Sequence, residues 1–372
     1  MGYQVKALRF YRETTPGTKP ASPTNFSISP EGYSVVETQS SETLSLIGDS
    51  GEITGKTHGD SDFAGDMPLV FSGQFMPIIL HHVIGAGTAT DATTDVWATE
   101  APYIVGEIVN HTNGLNTLVC TTAGTSAVTE PTITTEVEFD KITDGTVEWV
   151  LRPVLKEYTG QRDQCLDSFG IEMEMDDSCA GSASTYERTE GAYISSIEFG
   201  KDGGTISTKS SMPIIAGGID NSITNDDYEA QSGTDIAINK IFLGASNLTI
   251  KIDGVAITKT SSAKITINRN ITIERGASDD RITNFGVPTA EGTMDVLFTL
   301  ENFARGYEHS AHELQFIYDS NTGDVTTITF PIIRFDKNPA VVETSKSAMI
   351  NGTFAAEGNS AVNSIQYTCV SG

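Results

Sequence analysis

A chain of 372 residues with 23 Lys and Arg against 49 Asp and Glu carries a formal charge of -26. That balance excludes a nucleic-acid grip built on clustered cations, while allowing a surface past which nucleic acid slides without sticking. The length suits two or three domains. Nothing near the start resembles a signal peptide and no apolar run is long enough to cross a bilayer, so a soluble protein is expected.

Gly, Ser and Thr are abundant and helical periodicity is scarce, which predicts a mainly β chain. Residues 1–29 read as an extended N-terminal arm, because Pro16, Pro20 and Pro23 remove ladder donors. One or two strands follow over 32–46, and Gly51-Glu52-Ile53-Thr54-Gly55-Lys56 reads as a short strand. Residues 74–84 predict a helix, with Phe75, Ile78, Ile79, His82 and Val83 near one face and Gly85 as the stop signal. The segment 88–153 has its own character. It holds both tryptophans, Trp97 and Trp149, among short strands and tight turns, and predicts a small β module inserted into a host domain through adjacent ends.

The host pattern resumes at 169–175 and in a hairpin-like stretch over 192–215. A polar loop at 217–235, with Asp220, Asn225, Asp226 and Asp227, is too long for an ordinary connection and reads as functional or as a connector reaching residue 240. The clearest signal lies at 247–275. Leu248, Ile250 and Ile252 alternate with Thr249, Lys251 and Asp253, and Asp253-Gly254 suits a tight turn. Ile265, Ile267, Ile271 and Ile273 continue the alternation, giving a sheet with one apolar face and one face of Thr249, Lys251, Asp253, Thr266 and Asn268. A strand at 292–298, a short helix over 301–313 and strands at 327–335 and 340–356 complete the chain.

The two halves share an order of elements. Each has a Gly-initiated strand, a short helix, a strand and a hairpin, and Phe199-Gly200-Lys201 matches Phe335-Asp336-Lys337. Duplicated units take equivalent places in a ring. The expected organisation is therefore an arm (1–29), a first domain (30–87 and 154–216) broken by the insert (88–153), a connector (217–240) and a second domain (241–372).

No catalytic or metal centre is expected. Cys120, Cys165, Cys179 and Cys369 form no C-x-x-C pair and read as buried free thiols. His309 and His312 beside Glu313 have neither zinc-protease spacing, His81 and His82 are adjacent, and Asp60, Asp62 and Asp66 lack a full calcium loop and read as a solvated acidic loop. Trp97, Tyr103 and Trp149 could stack on sugar rings, which gives an alternative function as a carbohydrate-binding or adhesin-like protein. The core role is the expected one, since so small a unit needs large side chains to fold.

Four stretches together resemble the tail tube proteins of long-tailed bacteriophages. Glu13-Thr14-Thr15-Pro16-Gly17-Thr18-Lys19-Pro20 is similar to the family's opening, and Gly51 to Lys56 before the helix resembles its first strand and helix. The half from Leu248, with Ile328-Thr329-Phe330-Pro331, is similar to its C-terminal region. The insert, with Cys120-Thr121-Thr122-Ala123-Gly124-Thr125-Ser126, Glu130-Pro131 and Asp144-Gly145-Thr146-Val147-Glu148-Trp149, resembles a small module of phage structural proteins. The resemblance implies β-sandwich or barrel domains, each with a flanking helix, and no enzyme activity or cofactor; the sequence departs from the simplest members in its duplication and its insert. It implies copies of the chain in stacked rings around a bore through which DNA passes without specific binding, and since six single-domain subunits form the family's usual ring, the duplicated chain is expected as a trimer with pseudo-sixfold symmetry, six chains per ring being the alternative. Tape measure, terminator and tip proteins are the implied partners, in a virion tail assembled in the host bacterial cytoplasm. Glu13, Thr14, Pro16, Asp226 and Asp227 are the expected contacts between rings, the arm is expected to order only on a neighbouring ring, and the insert is expected to project outward.

Overall fold

The computed structural model describes residues 4–21, 24–27, 33–44, 55–67, 69–70, 72–133, 139–161, 166–176, 185–201, 209–210, 213–220, 234–237, 247–257, 260–275, 281–297, 310–320, 322–336, 340–341, 349–358 and 364–371. Asp226, Asp227, Cys165, Cys179, His309 and residues 51–54 and 301–309 lie outside them. The chain is mainly β, and the helix Met76–Val83 stands where the periodicity predicts it. Pro77 opens that helix, where its missing N–H costs nothing, and Met76, Ile79, Leu80 and Val83 are buried. Alternation explains most strands. In His312–Asp319, Leu314, Phe316 and Tyr318 are buried while Gln315 and Ile317 are half-buried. Asp253 (φ 51°) and Gly254 (φ 75°) are both left-handed and join Leu248–Ile252 to Val255–Ala256 in the tight turn expected of that dipeptide.

Two large sheets carry the body. The nine-stranded sheet runs Thr234–Ala237, Thr24–Ser27, Gln4–Arg12, Phe169–Asp176, Thr185–Ile194, Pro213–Ala216, Gly55–Asp66, Val36–Leu44, with Gly218–Asp220 also on Thr185–Ile194. The twelve-stranded sheet runs Ser196–Lys201, Thr260–Asn268, Thr289–Leu297, Met349–Ala356, Val325–Phe335, His312–Asp319, Leu248–Ile252, Val255–Ala256. From Val325–Phe335 it branches through Gln366–Ser371 and Lys156–Gln161 to Gly87–Asp91. One hydrophobic cluster joins both sheets and the helix, including Phe10, Ile79, Phe169, Ile197, Ile265, Phe316, Phe330 and Tyr367.

The strand order repeats. From Gln4–Arg12 the first sheet passes to Phe169–Asp176, Thr185–Ile194, Pro213–Ala216, Gly55–Asp66 and Val36–Leu44. From Leu248–Ile252 the second passes to His312–Asp319, Val325–Phe335, Met349–Ala356, Thr289–Leu297 and Thr260–Asn268. The irregularities coincide as well. The ladder of Phe169 with Ala192 shifts register before Ile171, and that of His312 with Ile333 shifts before Leu314. Bulges are placed features of a ladder, so their recurrence fixes residue-level equivalence. The matched words Phe199-Gly200-Lys201 and Phe335-Asp336-Lys337 are not equivalent: Tyr193 and Ile194 pair with Ile215 and Ile214 as Arg334 and Phe335 pair with Ala355 and Phe354.

Several expectations change. The arm is not a free extension, because Gln4–Arg12 sits between Thr24–Ser27 and Phe169–Asp176 with Leu8, Phe10 and Tyr11 buried. Removing residues 1–23 therefore takes out a core strand rather than a bridging tail. Asp60 and Asp62 lie on the strand Gly55–Asp66, not on a loop. His312 and Glu313 begin a strand instead of ending a helix. Gly218–Asp220 and Thr234–Ala237 give the stretch at 217–235 strands at both ends. Gly87–Asp91, Lys156–Gln161 and Ser196–Lys201, expected in the insert or first domain, all belong to the twelve-stranded sheet. Leu248–Ile252 and Thr260–Asn268 stand near opposite ends of that sheet rather than side by side.

Candidate functional site

The segment that follows Gln4–Arg12 is held by buried charge. Glu13 is 1% exposed. Its carboxylate accepts from Ser168 Oγ (2.6 Å), the Gly17 N–H (2.9 Å) and the Gly191 N–H (3.1 Å). Gly17 (φ 73°) and Gly191 (φ 59°) supply left-handed backbone on either side of it. A few residues on, Lys19 donates to Glu172 (2.5 Å), which also takes the Arg188 Nε–H (2.8 Å). Burial pulls the Lys19 ammonium down from its ordinary value against the opposing bond to Glu172, and the Lys19 cation lies 5.4 Å from the centre of the Tyr11 ring. Glu13 is thus an internal fastening of its own chain, with its carboxylate turned inward. Thr14 and Pro16 lie exposed between its two anchors.

The helix is tied to the same region. His81 Nε2 is 2.9 Å from Asp167 Oδ2, which also pairs with Arg12, and His82 Nδ1 is 2.9 Å from the Asp167 carbonyl. His82 packs edge-on against Phe10 and Phe169. Burial first, and then the neighbouring His81, lower its pKa to about 3. Unfolded histidine titrates near 6.5, so between roughly pH 6.5 and pH 3 the unfolded chain takes up a proton that the folded chain refuses. Stability is expected to fall on acidification through that window by about 1.4 kcal/mol per pH unit from this group. A His82→Gln variant should show a shallower slope in urea melts over that range. An unchanged slope would remove His82 as its source.

His312 has partners in the order of a hydrolytic triad: Ser310 Oγ lies 2.9 Å from Nε2, and Asp253 Oδ2 lies 2.8 Å from Nδ1. The Asp253 side chain is 44% exposed and its other oxygen accepts the Glu313 N–H, so the cluster fastens the 253–254 turn to the strand beginning at His312. The acid of a hydrolytic triad is buried. Among the described residues no group of three His, Cys, Asp or Glu could hold a metal ion. Cys120 and Cys369 are buried free thiols, and burial pushes Cys369 up to about 12.

The insert has a separate core of Tyr103, Val109, Leu118, Cys120, Val147, Trp149 and Leu151, with Trp97 packed against it. Asp144 is its polar centre. One carboxylate oxygen accepts both indole N–H groups, from Trp97 (2.7 Å) and Trp149 (3.0 Å), and the other takes the Ala127 N–H (2.8 Å). Tyr103 packs edge-on against Trp149, 4.8 Å between ring centres. The three aromatic residues converge inward: Trp149 is fully buried and Tyr103 is 6% exposed. The ends of the module arrive on Gly87–Asp91 and Lys156–Gln161, which pair antiparallel. At its base the buried Arg152 makes two hydrogen bonds to Asp324 (2.7 and 2.9 Å) and one to the Thr322 carbonyl (2.7 Å).

A family profile described as "Phage tail tube protein" matches residues 4–361, nearly the whole chain. The chain belongs to the phage tail tube protein family. It is a structural protein of the virion tail, of the kind that assembles with other copies into a tube. A chain of a solved structure described as "Virion of native gene transfer agent (GTA) particle" is 17% identical, with a TM-score of 0.25, over 31% of this chain and 93% of that chain. No curated protein matches.

The twelve-stranded sheet turns a polar face away from the core. Thr88, Thr159, Thr368, Thr327, Ile317 and Thr249 stand opposite one another on six successive strands. Gln161, Gln366, Thr329, Gln315 and Lys251 form the adjacent rung. Their strand neighbours Cys369, Ile328, Phe316 and Ile250 are buried on the other face. Towards the other end of the sheet the face becomes charged, with Glu198, Thr266 and Glu291 in register. Two of its cations are matched: Lys264 lies 3.3 Å from Glu198, and Arg334 lies 2.9 Å from Glu357. Periodicity found Thr249, Lys251 and Thr266 but missed most of this face, whose threonines come from strands far apart in the chain.

Proposed function

We propose that this chain is the ring-forming subunit of the tail tube, stacked into the hollow conduit for genome ejection. Three chains make each ring, because the repeated strand order gives every chain two equivalent units and the ring implied by the family resemblance has six single-domain positions. The observation that carries this reading is the repeat itself, down to matching register shifts before Ile171 and Leu314. The outward face of threonine, glutamine and paired charge lines the bore. Duplex DNA carries about one negative charge per 1.7 Å, and each unpaired cation on the wall would add affinity and drag. Tape measure, terminator and tip proteins complete the tail, assembled in the bacterial cytoplasm, and the insert projects from the outside. Thr14, Pro16, Asp226 and Asp227 are the contacts between stacked rings. Trp97, Tyr103 and Trp149 pack in or against the module's own core, which supports a core role over a glycan platform.

Mass measurement on isolated rings tests the reading. Three copies per ring are expected, and six would sink the trimer. Purified chain that forms neither rings nor tubes in electron micrographs would remove the conduit itself, and a net positive inner surface would contradict the account of the bore.

A further inference from the structure

The two halves of the chain meet along a β seam. The chain leaves the nine-stranded sheet after Thr185–Ile194 and enters the twelve-stranded one as Ser196–Lys201. There it pairs antiparallel with Thr260–Asn268, Phe199 opposite Ile265 and Gly200 opposite Lys264. Thr260–Asn268 therefore has its own half on one side, through Thr289–Leu297, and the other half of the chain on the other.

The repeat identifies what stands in the corresponding places. The pair Asp66 with Pro213 corresponds to Thr293 with Thr353, and Val36 with Ala64 to Thr266 with Glu291. The hairpin of Val36–Leu44 with Gly55–Asp66 slips register between Gln39 and Ser41. The equivalent stretch breaks at the same point into Thr260–Asn268 on Thr289–Leu297 and Ile271–Arg275 on Arg281–Phe285. Counting along these strands, Lys264 and Ile265 correspond to Ser34 and Val35, and Phe199 and Gly200 correspond to Ala340 and Val341.

Both corresponding partners are present, but not on each other. Ala340–Val341 is a strand held by Met349–Ala356. Val36–Leu44 ends the nine-stranded sheet, and among the described residues no strand is paired on its far side. Val36 on that edge is 57% exposed. The Ser34 N–H donates to the Asp66 carbonyl (3.1 Å), so Ser34 and Val36 turn their backbone groups inward while those of Val35 and Glu37 point to the open edge.

We propose that the seam within the chain is repeated between chains. The strand Ala340–Val341 of one copy pairs antiparallel with the open edge of the next, Val341 opposite Ser34 and Ala340 opposite Val35. The partner is a second copy because the same pairing already exists between the halves of one copy. The contact is head-to-tail, so it propagates around a ring and closes when the rotation matches. It also covers an edge that would otherwise template uncontrolled pairing. This seam rests on the tube reading for its ring but not for its register.

The test uses the full-length chain carrying Ser34→Cys with Val341→Cys, assembled, oxidised and run on a non-reducing gel. In a non-hydrogen-bonded antiparallel pair the Cα atoms stand about 4.5 Å apart, within disulfide range. A ladder of dimers and higher species is expected, absent from either single variant and several-fold weaker for Val36→Cys with Val341→Cys, which is two residues off register. Glu37→Pro removes an N–H only from the open edge, so it should leave circular dichroism unchanged and abolish rings. Tubes without the ladder would overturn the seam and leave the conduit standing. A ladder in oligomers that never stack would overturn the conduit and leave the seam, and wild-type chain without rings together with a double variant without the ladder would overturn both.

Discussion

Replacing Arg152 by Ala is expected to cost about 3–5 kcal/mol, because it leaves the Asp324 carboxylate buried and unpaired. The side chains of Arg152 and Asp324 are 0% and 1% exposed, and Gly323 beside them sits so close that a Cβ would meet Val119 at 2.8 Å and Leu155 at 3.0 Å. The guanidinium also lies over the Phe139 ring, 4.6 Å from its centre. Urea melts of Arg152→Ala should show the loss, and Arg152→Met with Asp324→Leu should recover most of it, since a buried pair is often replaceable by apolar groups of similar volume. A double variant as unstable as the single one would mean that the charge is not what holds this contact. Excision of 89–152, just inside the bounds 88–153 read from the sequence, would unpair Gly87–Asp91 and orphan Asp324. A deletion that preserves assembly has to fall between Ala92 and Leu151.

Trp149→Ala is expected to unfold the insert and spare the body. A buried tryptophan truncated to alanine costs about 3–5 kcal/mol, and a unit of this size has little more in reserve. The Asp144 carboxylate loses one of its three donors at the same time. The body keeps its own core, to which no residue of the insert's cluster belongs. Hydrogen exchange should show the amides of 93–151 losing protection while those of His312–Asp319 and Val325–Phe335 keep theirs. Loss of protection in both would show that insert and body fold as one cooperative unit.

Where a signal is local, the sequence carried it. The alternation of Leu248–Ile252, the Asp253-Gly254 turn and the helix Met76–Val83 all follow from spacing within a dozen residues. The strand Gln4–Arg12 is less legible, although Leu8 and Phe10 alternate with Arg9, because the prolines beyond Thr15 mark the arm as extended. Glu13 stands between polar residues, where nothing local marks its carboxylate as buried. Its partners Ser168 and Gly191 arrive from more distant sequence, and no spacing rule reports them. The repeat was visible as an order of elements but not as a register. Short shared words such as Phe-x-Lys drift along a strand, whereas bulges do not.

The strand Gln366–Ser371 lies between Lys156–Gln161 and Val325–Phe335, yet it is made after both. During synthesis the strands Gly87–Asp91 and Lys156–Gln161 therefore wait, joined to each other but detached from the rest of the twelve-stranded sheet. Contacts of such long sequence separation fold slowly, since the chain between them must be ordered before they form. A chain halted before Gln366 has a gap in the middle of its largest sheet and presents a divided wall. On the proposed reading, a subunit offers its neighbours a continuous surface only once translation has delivered the strand that closes the gap.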